Sequence, residues 1–193
     1  MLKDKLKNYK LILASGSPRR QQFFQDLDLD FSIRLIDVEE VFPPELVRQE
    51  ITNYLAELKA NAHVNSLSDD EILITSDTIV WHNNEALGKP KNYNDGFQIL
   101  KKLSNATHEV VTSVCFLTTK SCNTIFDVTE VTFKELSDEM IQYYLENYKP
   151  FDKAGAYGIQ EWIGFVGVRN IKGSYANVMG LPTDKVFSFL NSL

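Results

Sequence analysis

The sequence has little cysteine and no long hydrophobic segment. Its two cysteines, Cys115 and Cys122, lack CxxC spacing, a pattern that favours two structural thiols in a reducing compartment. The opening MLKDKLKNYK has no apolar signal core, and no apolar run approaches the length of a membrane span. These absences argue against a membrane protein and predict a cytoplasmic location.

Motifs of several common enzyme classes are missing as well. No GxSxG, HExxH or GxxxxGK[ST] sequence occurs, so neither a serine-hydrolase elbow nor a P-loop is available. The three histidines, His63, His82 and His108, share no ligand spacing and do not suggest a zinc site. No internal repeat or low-complexity tract divides the sequence.

The composition is that of an ordinary globular chain with a surplus of acidic residues. Of the 193 residues, 44% are hydrophobic and 24% are charged, and the formal net charge is −6. This charge argues against a nucleic-acid backbone as the main partner. A phosphorylated ligand would therefore need a local basic pocket in an acidic protein.

Strand and helix patterns alternate along the chain, which predicts an α/β fold. We expect a mixed, twisted central sheet flanked by helices, with residues 1–193 forming a single domain of two lobes around a cleft. LILAS is the first strand, and Ser17 and Pro18 begin the helix that follows it. PPELVRQEITNYLAELKANAH has helical spacing, Asn94 is a plausible cap of NDGFQILKKL, and both IGFVGVRNIKGSY and GSYANVMGLP are interpreted as containing strands.

The segment ASGSPRR places two arginines where a helix begins. The first turn of a helix presents unpaired N–H groups and a partial positive charge, so Arg19 and Arg20 add positive charge where it is already disfavoured. A bound anion would explain them, because the Ser15 and Ser17 hydroxyls and two guanidinium groups would converge on phosphate oxygens. The alternative is a Ser-Pro helix cap with two solvated arginines.

Asp77 interrupts the apolar strand ILITSDTIV, between Ser76 and Thr78. An unpaired carboxylate is costly to bury, so Asp77 should face a metal, a basic partner or a hydrogen-bonded site. At a strand end that faces a triphosphate, it could hold Mg²⁺ or deprotonate the attacking water. The alternative is an aspartate that caps a turn.

Two later segments carry further polar candidates. In LGKPKN a turn fixed by glycine and proline holds Lys89, although a lysine in a turn is usually solvated. The loop DKAGAYGIQ contains Lys153 and Gln160, and its two glycines would let the backbone approach a ligand closely. The Gln160 amide pairs a donor with an acceptor and could bind a base edge.

Taken in this order, ASGSPRR, SDT, LGKP, DKAGAYGIQ and GSYANVMGLP resemble the successive motifs of the Maf family of nucleoside triphosphate pyrophosphatases. The resemblance spans nearly the whole chain. It implies an elongated α/β fold similar to that of inosine-triphosphatases, a divalent cation (Mg²⁺ or Mn²⁺) and a homodimer. It also implies release of pyrophosphate, with dTTP or UTP as the favoured substrate.

The resemblance further implies a role for each matching residue. Asp77 matches the proton acceptor, and Glu40 matches an acidic position near the metal, although Glu39 competes with it in the loosely matching stretch DVEEVFPP. We expect Asp77 and Glu40 to hold the metal, and proton acceptance and metal ligation are competing roles for the one Asp77 carboxylate. Arg19, Thr78 and Gln160 match the positions that separate substrate preferences. The remaining polar or basic positions that would line the triphosphate site are Ser15, Arg20, Lys59, Lys89 and Lys153.

Two other functions remain open from the sequence. One is a nucleotide-binding regulator of cell division with little turnover, which would need the basic pocket but not Asp77 and the metal. The other is an inosine-triphosphate-type pyrophosphatase, for which different motifs are expected. The SDT motif, rather than a neutral replacement, favours catalysis.

Overall fold

A mixed seven-stranded sheet organises the computed structural model, which describes residues 2–193. The strands are β1 (Lys10–Leu13), β2 (Phe31–Ile33), β3 (Glu71–His82), β4 (Glu85–Leu87), β5 (Thr107–Leu117), β6 (Cys122–Phe133) and β7 (Val168–Lys172). They lie in the order β2-β1-β3-β5-β6-β7, and β4 pairs with β3. β1 pairs in parallel with β2 and β3, whereas β4 and β7 pair antiparallel with their neighbours, so the predicted mixed sheet is confirmed.

Helices flank the sheet, as expected for an α/β chain. They are α1 (Leu2–Leu6), α2 (Pro18–Asp26), α3 (Gln49–Asn61), α4 (Tyr93–Leu103), α5 (Asp138–Tyr148), α6 (Trp162–Gly167), α7 (Tyr175–Val178) and α8 (Thr183–Asn191). Single 3-10 turns form at Val64–Ser66 and Ala154–Ala156. Within residues 2–193, no helix is long and apolar enough to cross a membrane.

The chain forms two compact units. The first unit comprises the residues up to Asp77 together with Thr112–Asp127 and Gly180–Leu193, and the second comprises Thr78–Val111 and Val128–Met179. Each unit has its own buried core. The core of the second unit contains Leu100 of α4, Phe133 of β6 and Tyr144 of α5.

In the first unit, strand alternation sends successive side chains of β1 and β3 into two different apolar clusters. Leu11, Leu13, Ile72 and Ile74 pack with Phe24 of α2. The intervening Ile12 and Leu73 pack with Ala56 and Ala60 of α3. A period of two on strands buried on both faces accounts for this division. It also puts every second residue of β3 after Leu73 on the side covered by α3.

Three local predictions need correction. The segment Tyr175–Val178 is the helix α7 rather than a strand, because the Ser174 hydroxyl accepts a hydrogen bond from Asn177 N at 3.2 Å and caps it. The helix α6 precedes the strand β7 in the segment interpreted as β-like. The cap of α4 is Asn92 rather than Asn94, since its side chain accepts from Asp95 N at 3.0 Å.

Candidate active site

Arg20 is held at the start of α2 by hydrogen bonds to three separate segments of the first unit. Its Nε donates to Gly180 O at 2.8 Å, and its Nη1 donates to Ser76 O at 3.0 Å and to Ser15 Oγ at 3.4 Å. Ser15 Oγ also accepts from the Ser17 backbone N–H at 3.3 Å. Arg20 is therefore an anchored side chain, which is inconsistent with two solvated arginines beside a simple helix cap.

The positive charge at this helix start is concentrated as well as anchored. Burial lowers the pKa of Arg20 to about 10, the Asp77 carboxylate partly offsets this effect, and the Arg19 charge lowers the value further. The helix α2 has no acidic residue in its first turn to balance the two arginines. Since partial positive charge from the helix adds to theirs, this point of the surface favours an anion.

Lys59 joins the two candidate acidic residues. Its ammonium nitrogen lies 2.6 Å from Asp77 Oδ1 and 2.9 Å from Glu40 Oε1. The Asp77 side chain is only 9% exposed, whereas that of Glu40 is 41% exposed. Of the two glutamates that compete in the sequence, Glu40 is the one whose carboxylate contacts this lysine.

The period of β3 explains why Asp77 and Lys59 meet. Thr75 lies two residues after Leu73 on the face covered by α3, and its hydroxyl donates to Ala56 O at 2.6 Å. Asp77 follows two residues later on the same face, while Lys59 lies about one turn after Ala56 on α3. Thus the alternation of an apolar strand brings one carboxylate to one lysine.

Burial raises the pKa of Asp77 above its ordinary value. The attraction of Lys59 and then of Arg20 acts in the opposite direction, and the Glu40 carboxylate raises the value further. A carboxyl group with a raised pKa is a stronger base once ionised, which is the property expected of a proton acceptor.

The same two carboxylates fit a hard divalent cation. Mg²⁺ in proteins is commonly held by one or two carboxylates together with substrate phosphates and water, so Asp77 and Glu40 supply a suitable oxygen donor set. Among residues 2–193, no group of three or more histidine, cysteine, aspartate or glutamate side chains could hold a metal alone. A cation at this position would accordingly need ligands from the substrate or from water.

In the second unit, the turn that bears Lys89 contacts the loop that bears Lys153. Gly155 N donates to Gly88 O at 3.1 Å, so the LGKP and DKAGAYGIQ segments meet through their backbones. Lys153 forms ion pairs with Asp152 at 2.8 Å and Glu161 at 3.1 Å. Lys89 is exposed, and Thr78 and Gln160 are half-buried.

The two glycines of this loop pack closely against other residues of the second unit. Gly155 adopts a φ of +70°, and a Cβ atom there would lie 2.5 Å from Val80 Cγ2. A Cβ atom on Gly158 would lie 2.8 Å from the Glu161 carboxyl carbon. Gly155 therefore needs glycine, because its φ is positive and Val80 fills the space, whereas the atoms beside Gly158 belong to the end of a flexible side chain.

Sequence reasoning did not identify Tyr144 and Glu161 as candidates near this loop. The Tyr144 hydroxyl donates to Glu161 Oε2 and accepts from Gly158 N at 2.9 Å. A signal was present, since Glu161 directly follows Gln160 and places a carboxylate beside a basic motif. For Tyr144, an ordinary buried position on a helix, the sequence carries no such signal.

Comparisons with known proteins agree on one family. The sequence profile described as Maf-like protein matches residues 10–193. A relative from Flavobacterium johnsoniae, named dTTP/UTP pyrophosphatase, is 69% identical over 193 residues, which cover 100% of both chains. A relative of the same name from Christiangramia forsetii is 49% identical over 193 residues, covering 100% of this chain and 98% of its own.

One solved structure shares the fold. The Ham1 protein of Staphylococcus aureus superposes with a TM-score of 0.55 at 16% sequence identity, covering 95% of this chain and 98% of that chain. Similarity at this level of identity establishes a common fold.

Proposed function

Because the chain belongs to the Maf-like family, we propose that it is a pyrophosphatase that hydrolyses dTTP and UTP to the nucleoside monophosphate and pyrophosphate. Support for the reaction comes from relatives named dTTP/UTP pyrophosphatase, which match the full length of the chain at up to 69% identity. The arrangement of Asp77, Lys59 and Glu40 is the single structural observation that carries the proposal. It provides a buried candidate base beside a positive charge and a second carboxylate.

The first unit offers a binding surface for the triphosphate. Arg19, Arg20 and Lys59 contribute three positive charges against the two negative charges of Asp77 and Glu40, and the α2 N-terminus adds partial positive charge. The arginine anchored by Gly180 O and Ser76 O is pre-organised, so little side-chain freedom remains to be lost when phosphate binds. We assign the Ser15 hydroxyl, which accepts from Arg20 Nη1, to the same phosphate oxygens.

In the proposed reaction, Asp77 orients water for in-line attack on the α-phosphorus and accepts its proton. Lys59 holds the Asp77 carboxylate in place and offsets the negative charge that accumulates as pyrophosphate leaves. Mg²⁺ or Mn²⁺ held by Asp77 and Glu40 would supply Lewis acidity and reduce the charge of the polyphosphate. Asp77 thus acts as both base and ligand in this proposal.

The roles of Thr78, Lys89, Lys153 and Gln160 are supported by the family resemblance together with the loop contacts of the second unit. We assign Lys89 and Lys153 to the substrate phosphates. Gln160 complements the carbonyl and N–H edge of a pyrimidine, and Arg19 and Thr78 complete the set that favours dTTP and UTP. The single-domain organisation of residues 1–193, the homodimer, the cytoplasmic location and the absence of a nucleic-acid partner are proposed on the resemblance and the acidic composition.

A substrate panel with product identification tests the proposal. Purified protein should release pyrophosphate and the monophosphate from dTTP and UTP in the presence of Mg²⁺ or Mn²⁺, and purine triphosphates should be cleaved more slowly. Faster cleavage of a purine triphosphate would refute the substrate preference alone. Tight nucleotide binding without turnover would instead favour the regulator of cell division.

A further inference from the structure

The Glu161 carboxylate closes a ring of hydrogen bonds around the loop that carries Lys153 and Gln160. One oxygen pairs with Lys153 Nζ at 3.1 Å, and the other accepts from the Tyr144 hydroxyl. Tyr144 in turn accepts from Gly158 N at 2.9 Å, and Glu161 N donates to Gly158 O at 3.0 Å. These contacts hold the loop at Lys153, at Gly158 and at Glu161.

The side chains of this ring are largely buried, so each polar group needs its partner. The side chains of Lys153 and Glu161 are 11% and 19% exposed, and Tyr144 is fully buried. Burial and the hydrogen bond to Glu161 raise the pKa of the Tyr144 hydroxyl, which therefore stays a neutral donor. Removing one member of such a pair leaves a desolvated charge without its partner. The other lysine contact, Asp152, lies on the exposed surface, where ion pairs contribute little.

Gly158 leaves the space that the Glu161 carboxylate occupies. A Cβ atom on Gly158 would lie 2.8 Å from the Glu161 carboxyl carbon, so the carboxylate packs directly against the loop backbone. The Lys153 ammonium has three N–H donors; it donates to Asp152 Oδ1 at 2.8 Å and forms an ion pair with Glu161 Oε1 at 3.1 Å. The third can be directed at a substrate oxygen by the position of Glu161.

We propose that Glu161 is a positioning residue that fixes the Lys153 ammonium and the adjoining Gln160 for substrate binding. This inference rests on the proposed function, because it takes Lys153 and Gln160 as residues that bind the nucleotide. Glu161 acts through Lys153 and touches no reacting atom. Its loss therefore weakens binding of the ground state and the transition state together, which raises KM more than it lowers kcat.

Steady-state kinetics with dTTP test the inference in Glu161→Gln. Glutamine keeps the size and can still accept from Tyr144, but it loses the charge that holds Lys153. We expect KM to rise roughly 5- to 20-fold while kcat changes less than about 3-fold. Glu161→Asp, which retains the charge, should recover part of the loss. The matched control is Asp152→Asn, which removes the exposed partner and should leave KM within about 2-fold of the wild-type value.

A double-mutant cycle with Lys153→Met separates positioning from a merely structural role. If Glu161 acts through Lys153, Glu161→Gln adds little to the KM of the Lys153→Met variant. Additive effects on KM, or an unchanged KM in the single variant, would overturn the inference. Failure of the wild-type protein to release pyrophosphate from dTTP would instead overturn the proposed function, so the two failures are distinguishable.

A separate observation concerns the two cysteines of the first unit. The Cys115 and Cys122 sulfur atoms lie 3.3 Å apart, and both thiols are free. The turn between β5 and β6, closed by the hydrogen bond from Thr118 N to Ser121 O at 2.9 Å, brings them together. Cys115 is buried, whereas Cys122 is exposed and accessible to a reagent. Two isolated structural thiols, as the sequence indicates, would not need this contact.

We also infer that Cys115 and Cys122 form a dithiol modification site that a low-molecular-weight disulfide oxidises. The Cys122 sulfur attacks the reagent, breaks its S–S bond and releases one small thiol, which leaves a mixed disulfide on Cys122. The Cys115 sulfur then attacks Cys122 Sγ and releases the second small thiol. The two protein thiols are oxidised, their protons leave on the two small thiols, and one intramolecular S–S bond is formed.

The two steps should differ in rate. Burial raises the pKa of the Cys115 thiol, which lowers the fraction of attacking thiolate in the second step.

Intact-mass measurement during incubation with oxidised glutathione tests this site. The wild-type mass should first show one glutathione adduct and then the loss of two hydrogens. Cys115→Ser should retain the adduct, and Cys122→Ser should remain unmodified over the same period. A wild-type adduct that persists, or a wild-type chain that does not react, would overturn the inference.

Discussion

The Lys59 ammonium donates to Asp77 Oδ1 over 2.6 Å in the first unit, and it also contacts Glu40 at 2.9 Å. One lysine thus contacts two carboxylates whose side chains differ in exposure. Asp77 is buried in β3 and keeps a raised pKa despite this partner. The pKa of Asp77 thus reflects a balance between burial, which raises it, and the attraction of Lys59, which lowers it.

Replacing Asp77 by asparagine should not destabilise the metal-free protein at pH 8. A carboxyl group whose pKa is higher in the folded state favours folding below its unfolded pKa, and this contribution is lost as the pH rises through the folded pKa. Ionised Asp77 therefore lowers the stability of the folded state. Asp77→Asn removes this effect, and Lys59 retains its ion pair with Glu40. Thermal unfolding should give a Tm equal to or above that of the wild type.

A lower Tm in Asp77→Asn would mean that the attraction of Lys59 outweighs the cost of burial. Asp70 offers a control of opposite sign, since its hydrogen bond to Lys10 lowers its pKa. Asp70→Asn should give no increase in Tm at the same pH.

Replacing Lys59 by methionine should impair turnover and shift its pH dependence. The change removes one charge-assisted hydrogen bond, worth about 1.5–3 kcal/mol, so kcat/KM for dTTP should fall about 10- to 100-fold. Without Lys59, the Asp77 pKa rises further, and the acid limb of the pH–rate profile moves to higher pH.

Lys172 provides the matched control for this change. It forms an exposed pair with Glu130 at 3.3 Å, and Lys172→Met should leave both kcat/KM and the acid limb unchanged. An unaltered limb in Lys59→Met would show that Asp77 does not govern the profile.

The neighbouring arginines should respond differently to substitution by lysine. Arg20→Lys loses at least one of the hydrogen bonds that the guanidinium donates to Gly180 O and Ser76 O. This change should lower the free energy of unfolding by about 1–3 kcal/mol. Arg19→Lys should change stability by less than about 0.5 kcal/mol and act mainly on the KM for dTTP. Denaturant unfolding and steady-state kinetics check both expectations. Equal losses of stability in the two variants would contradict the anchoring role of Arg20.

His108 should make stability pH-dependent from about pH 6.5 down to about pH 3. Burial lowers its pKa to about 3, and its Nε2 lies 2.7 Å from the Tyr157 hydroxyl. Neutral His108 favours folding above the unfolded pKa, and this stability is lost as the pH falls below about 6.5, at up to about 1.4 kcal/mol per pH unit. The lowered pKa of His63 gives the same pH dependence of stability, and the raised pKa of Asp77 gives the opposite one. The effect of His108 is therefore measured as a difference between wild type and a variant.

Urea unfolding at several pH values measures this effect. The difference in unfolding free energy between wild type and His108→Gln should change across the window, because glutamine does not titrate. A difference that stays constant with pH would exclude His108 as the source.

Local patterns predicted much of the fold. The alternation of β3 and the spacing of α3 determine which faces are buried, and these two periods also bring Asp77 to Lys59. The start of α2 at Pro18 followed from its proline and serine. Ser17 occupies the N-cap position as predicted, but its side chain makes no cap hydrogen bond; its own backbone N–H donates to Ser15 Oγ.

Contacts between distant segments were not predictable in this way. The ion pair of Lys153 with Glu161 depends on a loop held by a buried tyrosine, and no periodic pattern encodes that arrangement. The requirement for glycine at Gly155 comes from Val80, which lies far away in the sequence. The contact of the two cysteines similarly depends on a turn whose register the sequence does not specify.

Pyrophosphate release from dTTP by wild type and Asp77→Asn, measured side by side with Mn²⁺, tests the central claim most directly. Asparagine keeps the size of the side chain and removes the base, so kcat should fall roughly 10²- to 10⁴-fold while dTTP still binds. Near-normal turnover in Asp77→Asn would contradict the account, because the buried carboxylate beside Lys59 would then have no part in the reaction.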